Sequence, residues 1–433
     1  MARKVRIALA TIALIMLITA GRIGKIHWFT GWVRIQWAIT LGLIPLLLIF
    51  FQQVPVLSPL ANAIAIPLIS LAVVPLTLLA AIPTFDFLLP WAHALLSFLM
   101  VILRSLSEFP QAVWQQHAPP LWTAIVAAIG IFWMLLPGSL GKGFFAGFPA
   151  RWLGVIALLP LFWILPSQPK TGELWLTVLD AGQGLAVVAR TEHHTMVFDT
   201  GPGVGDSDSG KRIIVPYLRG EGIRQLDALI VSHADNDHSG GALSVMADMP
   251  VDLLLSSLQN DHPIVQAATR SVQCRAGQSW DWDGVHFELL HPLAQDYENS
   301  QRRMNANSCV LKISSAHGSV LIPADIESKN EHALLSRAGD KLAATVLIAP
   351  HHGSLSSSTV DFVNRVNPAL TIFTVGHLNR YDHPHETVLA RYLDINSSLL
   401  RSDKDGAILL RFTENGWTTE SWRELYRRYW HQR

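Results

Sequence analysis

Cysteine is nearly absent from this chain of 433 residues: Cys274 and Cys309 are the only two. Two are too few for the multi-bridge framework of small secreted domains and exclude a zinc-type cysteine cluster. Spacing alone does not decide whether they bridge. Acidic residues are nearly absent from the first 170 positions, which carry only Asp86 and Glu108; the other 31 lie beyond. Lys plus Arg (33) equals Asp plus Glu (33), so overall charge selects no partner. Residues 171–433 hold 23 basic residues against 31 acidic ones, which excludes a strongly basic nucleic-acid surface as a compositional signal. The near-loss of acids over a mostly apolar half separates a membrane half from a soluble half.

Apolar stretches recur near 5–20, 36–52, 57–82, 88–107, 119–137 and 151–166. Several approach the ~20 residues needed to cross ~30 Å of hydrocarbon, so five or six transmembrane helices are expected. The first has a basic start but no clear small-residue cleavage site, and reads as a helix rather than a signal peptide. Pro59, Pro67 and Pro75 interrupt the 57–82 run, as a kinked helix or a re-entrant element would. Asp86 and His93 lie near predicted helix ends, and Gly138–Gly143 reads as a loop. Basic residues split evenly between the two sides of a six-helix count, so the positive-inside rule gives no orientation.

After Pro166-Ser-Gln-Pro-Lys170 the pattern changes to short strands and turns. Leu174–Leu179, Ala186–Ala189 and Thr195–Phe198 read as strands; the first and third end in Asp180-Ala-Gly-Gln-Gly184 and Asp199-Thr-Gly201. Asp180 and Asp199 suit turn chemistry or a supporting role better than direct ligation. Ile213–Leu218 and Leu226–Val231 continue the strand series. The second opens into Ser232-His-Ala-Asp-Asn-Asp-His-Ser-Gly-Gly241 and a helix near 240–248. His233, Asp235, Asp237 and His238 place four metal-binding side chains within six positions. Imidazole and carboxylate suit zinc, manganese and iron. A polar surface loop is the plainer reading, but the run sits between apolar segments and has candidate partners downstream.

Those partners stand at later strand ends. Ser308–Ile313 and Ser319–Ile322 form a hairpin around His317-Gly318, and the second strand ends at Pro323-Ala-Asp325. Val346–Pro350 leads into His351-His352-Gly353, and Leu370–Val375 precedes Asn379-Arg-Tyr-Asp-His383-Pro-His385. Loops on a rigid scaffold are where binding residues collect.

In these motifs and in their order, about residues 172–412 resemble the metallo-β-lactamase domain at the C-terminal end of ComEC-type DNA-uptake channels. The matching pieces include Asp180–Gly184, Phe198–Gly201, Ser232–Gly241, Asn307–Leu311, Ala324-Asp325, His351–Ser354, Arg380–His385 and Asp405–Ala407. Leu185, Ala324 and Asp382 depart from the Asp, Gly and Gly usual there. The preceding helices resemble the later part of the family's membrane-spanning competence domain. The resemblance implies an α-helical transmembrane bundle (1–168), an α/β metallo-β-lactamase fold of αββα sandwich type (172–412) and a tail (413–433). The family's N-terminal oligonucleotide-binding-fold domain and first helices have no counterpart here.

The resemblance further implies two divalent metal ions, Mn2+ or Zn2+. His233, Asp235 and Asp325 would hold one; Asp237, His238, His352 and a shared Asp325 would hold the other. The usual third histidine of the first site is replaced, with Asn305 or Asn307 in that part of the chain. Asp237, His351, His383 and His385 are the catalytic candidates, the histidines donating to phosphate or to the leaving oxygen. The implied activity is cleavage of DNA phosphodiester bonds during uptake, by an inner-membrane protein whose hydrolase domain faces outside the cytoplasm. DNA, the membrane and other DNA-uptake proteins would be its partners. The alternatives are a non-enzymatic scaffold of a pore, or a hydrolase of another phosphoester or a lactone.

Overall fold

The computed structural model describes residues 28–135, 152–205, 207–298 and 304–428. The chain divides into two compact units at Pro166/Ser167, with Arg219–Gly222 grouped with the first. The 5–20 stretch and the Gly138–Gly143 loop expected from sequence lie outside the described residues.

The first unit is helical because its runs are long, apolar and nearly free of charge. Trp28–Phe51, Ser58–Ala80, Pro83–Ser107, Leu121–Leu135 and Leu153–Trp163 account for the described apolar stretches. Ser58–Ala80 and Pro83–Ser107, of 23 and 25 residues, are long and apolar enough to cross a membrane. Leu71, Leu78, Trp91 and Phe98 are exposed on them. The proline-rich run is helical throughout, with a π-turn at Ile69–Val73 between Pro67 and Pro75. A short antiparallel pair, Gln53–Pro55 with Val113–Gln115, ties two loops of this unit together.

The second unit is an αββα sandwich. One sheet has eight strands: Ser271–Gln273, Leu254–Ser256, Ala228–Val231, Thr195–Phe198, Val187–Arg190, Leu174–Val178, Ile408–Thr413 and Gly416–Ser421, in that spatial order. The other has seven: Ser279–Trp282, Val285–His291, Val310–Ser315, Gly318–Ile322, Val346–Ile348, Leu370–Phe373 and Ser398–Arg401. Strand periodicity builds the layers. Met196, Phe198, Ala228 and Ile230 point into the core between the sheets, where Phe287, Leu311 and Ile322 meet them. Their neighbours Val197, Leu229 and Val231 point outward, under the helical residues Val215, Leu218, Ala242 and Val245. On the far side Leu334, Phe362, Val363 and Tyr392 cover Leu321, Leu347 and Phe373. A one-residue slip of Thr195–Phe198 would exchange Phe198 for Val197 in the inner core, and each fully buried large side chain is worth about 1.5–3 kcal/mol, so register is strongly specified.

Two sequence expectations change here. Ile213–Leu218 is helical, not extended: a π-turn at Gly210–Ile214 runs into a helix at Val215–Gly220. Pro216 is tolerated in the first turn, and Ile214, Val215 and Leu218 share the buried face while Lys211 and Arg212 stay exposed. Gly416–Ser421, counted with the tail, pairs antiparallel with Ile408–Thr413 and forms an edge strand. Only Trp422–Leu425 of the tail is helical among the described residues.

Cys274 and Cys309 form a disulfide across 35 residues. It joins the segment after the edge strand Ser271–Gln273 of one sheet to the start of Val310–Ser315 in the other.

Candidate metal centre

The parallel strands aim the candidate residues at one edge. Thr195–Phe198 pairs parallel with Ala228–Val231, so Asp199 and Ser232-His233 leave side by side. Gly318–Ile322, Val346–Ile348 and Leu370–Phe373 are also parallel, so Asp325, His351-His352 and Thr374 leave the other sheet together. Loops beyond the carboxyl ends of parallel strands are where α/β folds build sites. Asp199, Ala324, His351 and His352 all adopt left-handed backbone (φ 56, 50, 49 and 56°), a concentration of strain typical of functional loops. Gly184 is needed for close approach: a Cβ there would come within 2.2 Å of the Asp237 carbonyl oxygen.

Four of these side chains converge. Asp237, His238, Asp325 and His352 each offer a ligand atom, all within 4.8 Å of one another. His238 Nε2 lies 3.1 Å from Asp325 Oδ1, and His352 Nε2 lies 3.3 Å from Asp237 Oδ2. The two Nε2 atoms face each other at 3.2 Å. Hydrogen bonds on the other ring nitrogens say what this means. His238 Nδ1 donates to Asp199 Oδ2 at 2.7 Å, and His352 Nδ1 pairs with Thr374 Oγ1 at 3.0 Å. The Asp199 carboxylate only accepts, so His238 Nδ1 carries its proton, while the Thr374 hydroxyl can donate or accept; two imidazole nitrogens facing at 3.2 Å need a proton or a cation between them.

His233 repeats the pattern beside them. Its Nδ1 is 2.9 Å from Ser232 Oγ, which donates in turn to Asp199 Oδ2 at 2.6 Å. His233 is 1% exposed, yet its Nε2 has no hydrogen-bond partner. Asp235 Oδ2 lies 3.5 Å from that nitrogen without making a hydrogen bond. Buried polar atoms are nearly always satisfied, so this nitrogen, like the facing pair, fits a cation's donor set.

Electrostatics point the same way. Burial works against charge on His238, but Asp325 and Asp199 outweigh it and hold its pKa well above the usual imidazole range. Burial raises Asp237, but the His352 hydrogen bond and the charges of His238 and His352 bring it down to about 2. Asp325 is likewise held well below the carboxylate range, against burial, by His238 and His352. Carboxylates that stabilise a proton on His238 stabilise a divalent cation more strongly.

The remaining candidates separate. His351 Nε2 is 3.7 Å from Asp325 Oδ2, and its Nδ1 is 3.1 Å from Ser356 Oγ. The His383 ring centroid stands 6.0 Å from that of His351 and 6.5 Å from that of His352, and its buried Nδ1 is unpartnered. Burial, then the charges of His352 and His351, lower His383 to about 4, so the ring is neutral at physiological pH. His385 is placed differently: it is the N-cap of the helix Glu386–Asp394, its Nδ1 accepting from Thr387 N.

Sequence reasoning passed over several residues. Ser232 and Thr374 orient the imidazoles, and Arg380 lies over the ring of exposed Tyr381, itself stacked 5.8 Å from His383. Nothing in a single sequence separates such hydroxyls from other loop serines and threonines. Asp180 pairs with Arg423 at 2.9 Å. A cavity of about 450 Å3 opens between Asp180–Gln183 and Ser207–Ile213, but none of the converging donors lines it.

Comparison with known families matches residues 7–140 to "Competence protein" and residues 179–298 to "Metallo-beta-lactamase superfamily". The chain thus carries a region similar to competence proteins followed by one similar to the metallo-β-lactamase superfamily. Among its relatives, the chain is 33% identical over 405 residues to competence protein ComA of Neisseria gonorrhoeae, covering 93% of this chain and 54% of the relative. It is 29% identical over 412 residues to the uncharacterized protein YcaI of Escherichia coli, covering 92% and 51%. The chain thus spans about half the length of these relatives. Among solved structures, the metallo-β-lactamase fold protein YhfI from Bacillus subtilis aligns with TM-score 0.36 and 11% identity, covering 55% of this chain and 99% of that one. The superfamily implies divalent-metal binding, and the His/Asp cluster is its candidate site in this chain.

Proposed function

We propose that this chain is an inner-membrane protein of DNA uptake whose second unit hydrolyses phosphodiester bonds of incoming DNA with two divalent cations, manganese or zinc. The observation that carries this reading is the set of inward-facing imidazole nitrogens: His238 Nε2 opposed to His352 Nε2, and His233 Nε2 without a partner. His233 and Asp235 would hold one cation and Asp237, His238 and His352 the other, with Asp325 within reach of both groups. Bound there, divalent cations supply Lewis acidity toward a phosphate and a water nucleophile at neutral pH.

The chain's own groups do the rest. Asp237, held at about 2, stays anionic across the physiological range. His383 is neutral, so its role is a hydrogen bond to a substrate oxygen rather than delivery of a proton. His351, between Asp325 and Ser356, is the proton donor to the leaving oxygen. His385 holds the start of its helix, and so the loop carrying His383. Arg380 and Tyr381 supply a guanidinium for phosphate and a ring for a base, which matters in a unit whose net charge is acidic. The two long apolar helical runs support a membrane location. The disulfide supports placing the hydrolase unit outside the cytoplasm, since such bonds persist in oxidising compartments.

The test uses the full chain purified in detergent and an end-labelled oligonucleotide, with manganese or zinc. Cleavage is expected, and Asp237→Ala abolishes it. Intact DNA under both cations contradicts the reading, and turnover of a lactone or small phosphoester instead transfers it to the alternative hydrolase.

A further inference from the structure

The first cation, as assigned above, has an imidazole from His233 and carboxylates from Asp235 and Asp325, one donor fewer than its neighbour. The loop Met304–Asn307 before the strand Val310–Ser315 leads into residues that touch Ser232 and His233. Ser308 Oγ is 3.4 Å from His233 Nδ1, and Cys309 N donates to the Ser232 carbonyl at 3.1 Å. Two asparagines stand in this stretch. Asn305 turns the backbone, its carbonyl accepting from Ser308 N at 3.1 Å. Asn307 is the one whose Oδ1 is buried without a hydrogen-bond partner. Leaving a buried amide oxygen unpaired is costly unless a ligand satisfies it. On the next loop the buried His233 Nε2 is in the same condition. A cation is one group that would satisfy both acceptors.

We propose that Asn307 Oδ1 is a ligand of the first cation, joining His233 Nε2, Asp235 and Asp325, and that this amide oxygen biases that position toward manganese over zinc. The inference rests on the two-cation reading. An amide oxygen is a hard, neutral donor: it suits manganese and lacks the nitrogen lone pair that favours zinc. The disulfide at Cys309, two residues on, fixes the segment that carries it.

The test is metal binding to the detergent-solubilised full chain, titrated with Mn2+ alone and Zn2+ alone. Elemental analysis reads the stoichiometry, and electron paramagnetic resonance reads free manganese. The wild-type chain should hold two manganese ions. Asn307→Ala should keep one and bind the second about tenfold or more weakly. Asn307→Asp, which retains the oxygen, should keep both. Asn307→His should shift the weaker position from manganese toward zinc. A wild-type chain with two ions whose Asn307→Ala variant holds both equally tightly overturns the assignment of Asn307 while leaving the two-cation reading intact. Loss of the second ion in Asn307→Asp as in Asn307→Ala also overturns it, by making the residue structural, as does an unchanged metal preference in Asn307→His. Fewer than two ions in the wild type overturns the two-cation reading and this inference together.

Discussion

Asp199 and His238 share a 2.7 Å hydrogen bond with both side chains sealed from solvent. The same carboxylate accepts from Ser232 N at 2.7 Å and from Ser232 Oγ, the hydroxyl that meets His233 Nδ1. One buried group therefore sets the ring orientation of a histidine on each side of the proposed pair of cations. Asp199→Asn keeps the volume but loses the charge that fixes the His238 tautomer. Metal affinity should fall about 10–100-fold, with the far-ultraviolet circular dichroism unchanged. A chelator-competition titration measures it, and unchanged affinity would show that the bond is structural only.

Metal binding should be proton-linked. The carboxylates around His238 raise its pKa, so near neutral pH the metal-free ring carries a proton that a cation must displace. Affinity therefore rises with pH until the medium passes that raised pKa, and falls in acid. Calorimetry in buffers of different ionisation enthalpy should detect proton release on binding; a heat independent of buffer argues against it.

His383 and His385 should separate by phenotype although two residues apart. His385→Ala removes an N-cap and should destabilise the second unit by about 0.5–2 kcal/mol, with His385→Asn restoring most of it. Nuclease turnover at saturating substrate should change little. His383→Ala should leave the melting curve nearly in place and lower turnover. Thermal melts beside a single-turnover assay decide the matter, and equal loss of turnover in both variants contradicts this division.

Reducing Cys274–Cys309 should destabilise the second unit by about 3–4 kcal/mol, the loop-entropy expectation for a closure of this length. Denaturant midpoints with and without reductant give the shift. Thiol alkylation in intact cells gives the compartment: blocked cysteines are expected, and freely alkylated ones would place the unit in the cytoplasm.

Much of this site was readable in the chain because its donors follow short apolar runs. Leu226–Val231 announces Ser232-His233, and Val346–Ile348 announces His351-His352; parallel pairing then brings their ends together. What could not be read depends on distance in space. Nothing near Cys274 predicts that Cys309 will be opposite it. Whether His383 or His385 turns toward the site depends on where a helix begins. Ile213–Leu218 misled for another reason, since six residues with a buried stripe satisfy strand and helix patterns alike. Ala324 shows the converse: its left-handed backbone (φ 50°) is a conformation that glycine adopts freely.

Anomalous diffraction from crystals of the full chain grown with Mn2+ tests the central claim most directly. The account predicts two peaks, one enclosed by Asp237, His238, Asp325 and His352 and one against His233 Nε2 and Asp235. A map with no peak among these side chains, at a concentration where manganese binds elsewhere on the protein, would contradict it.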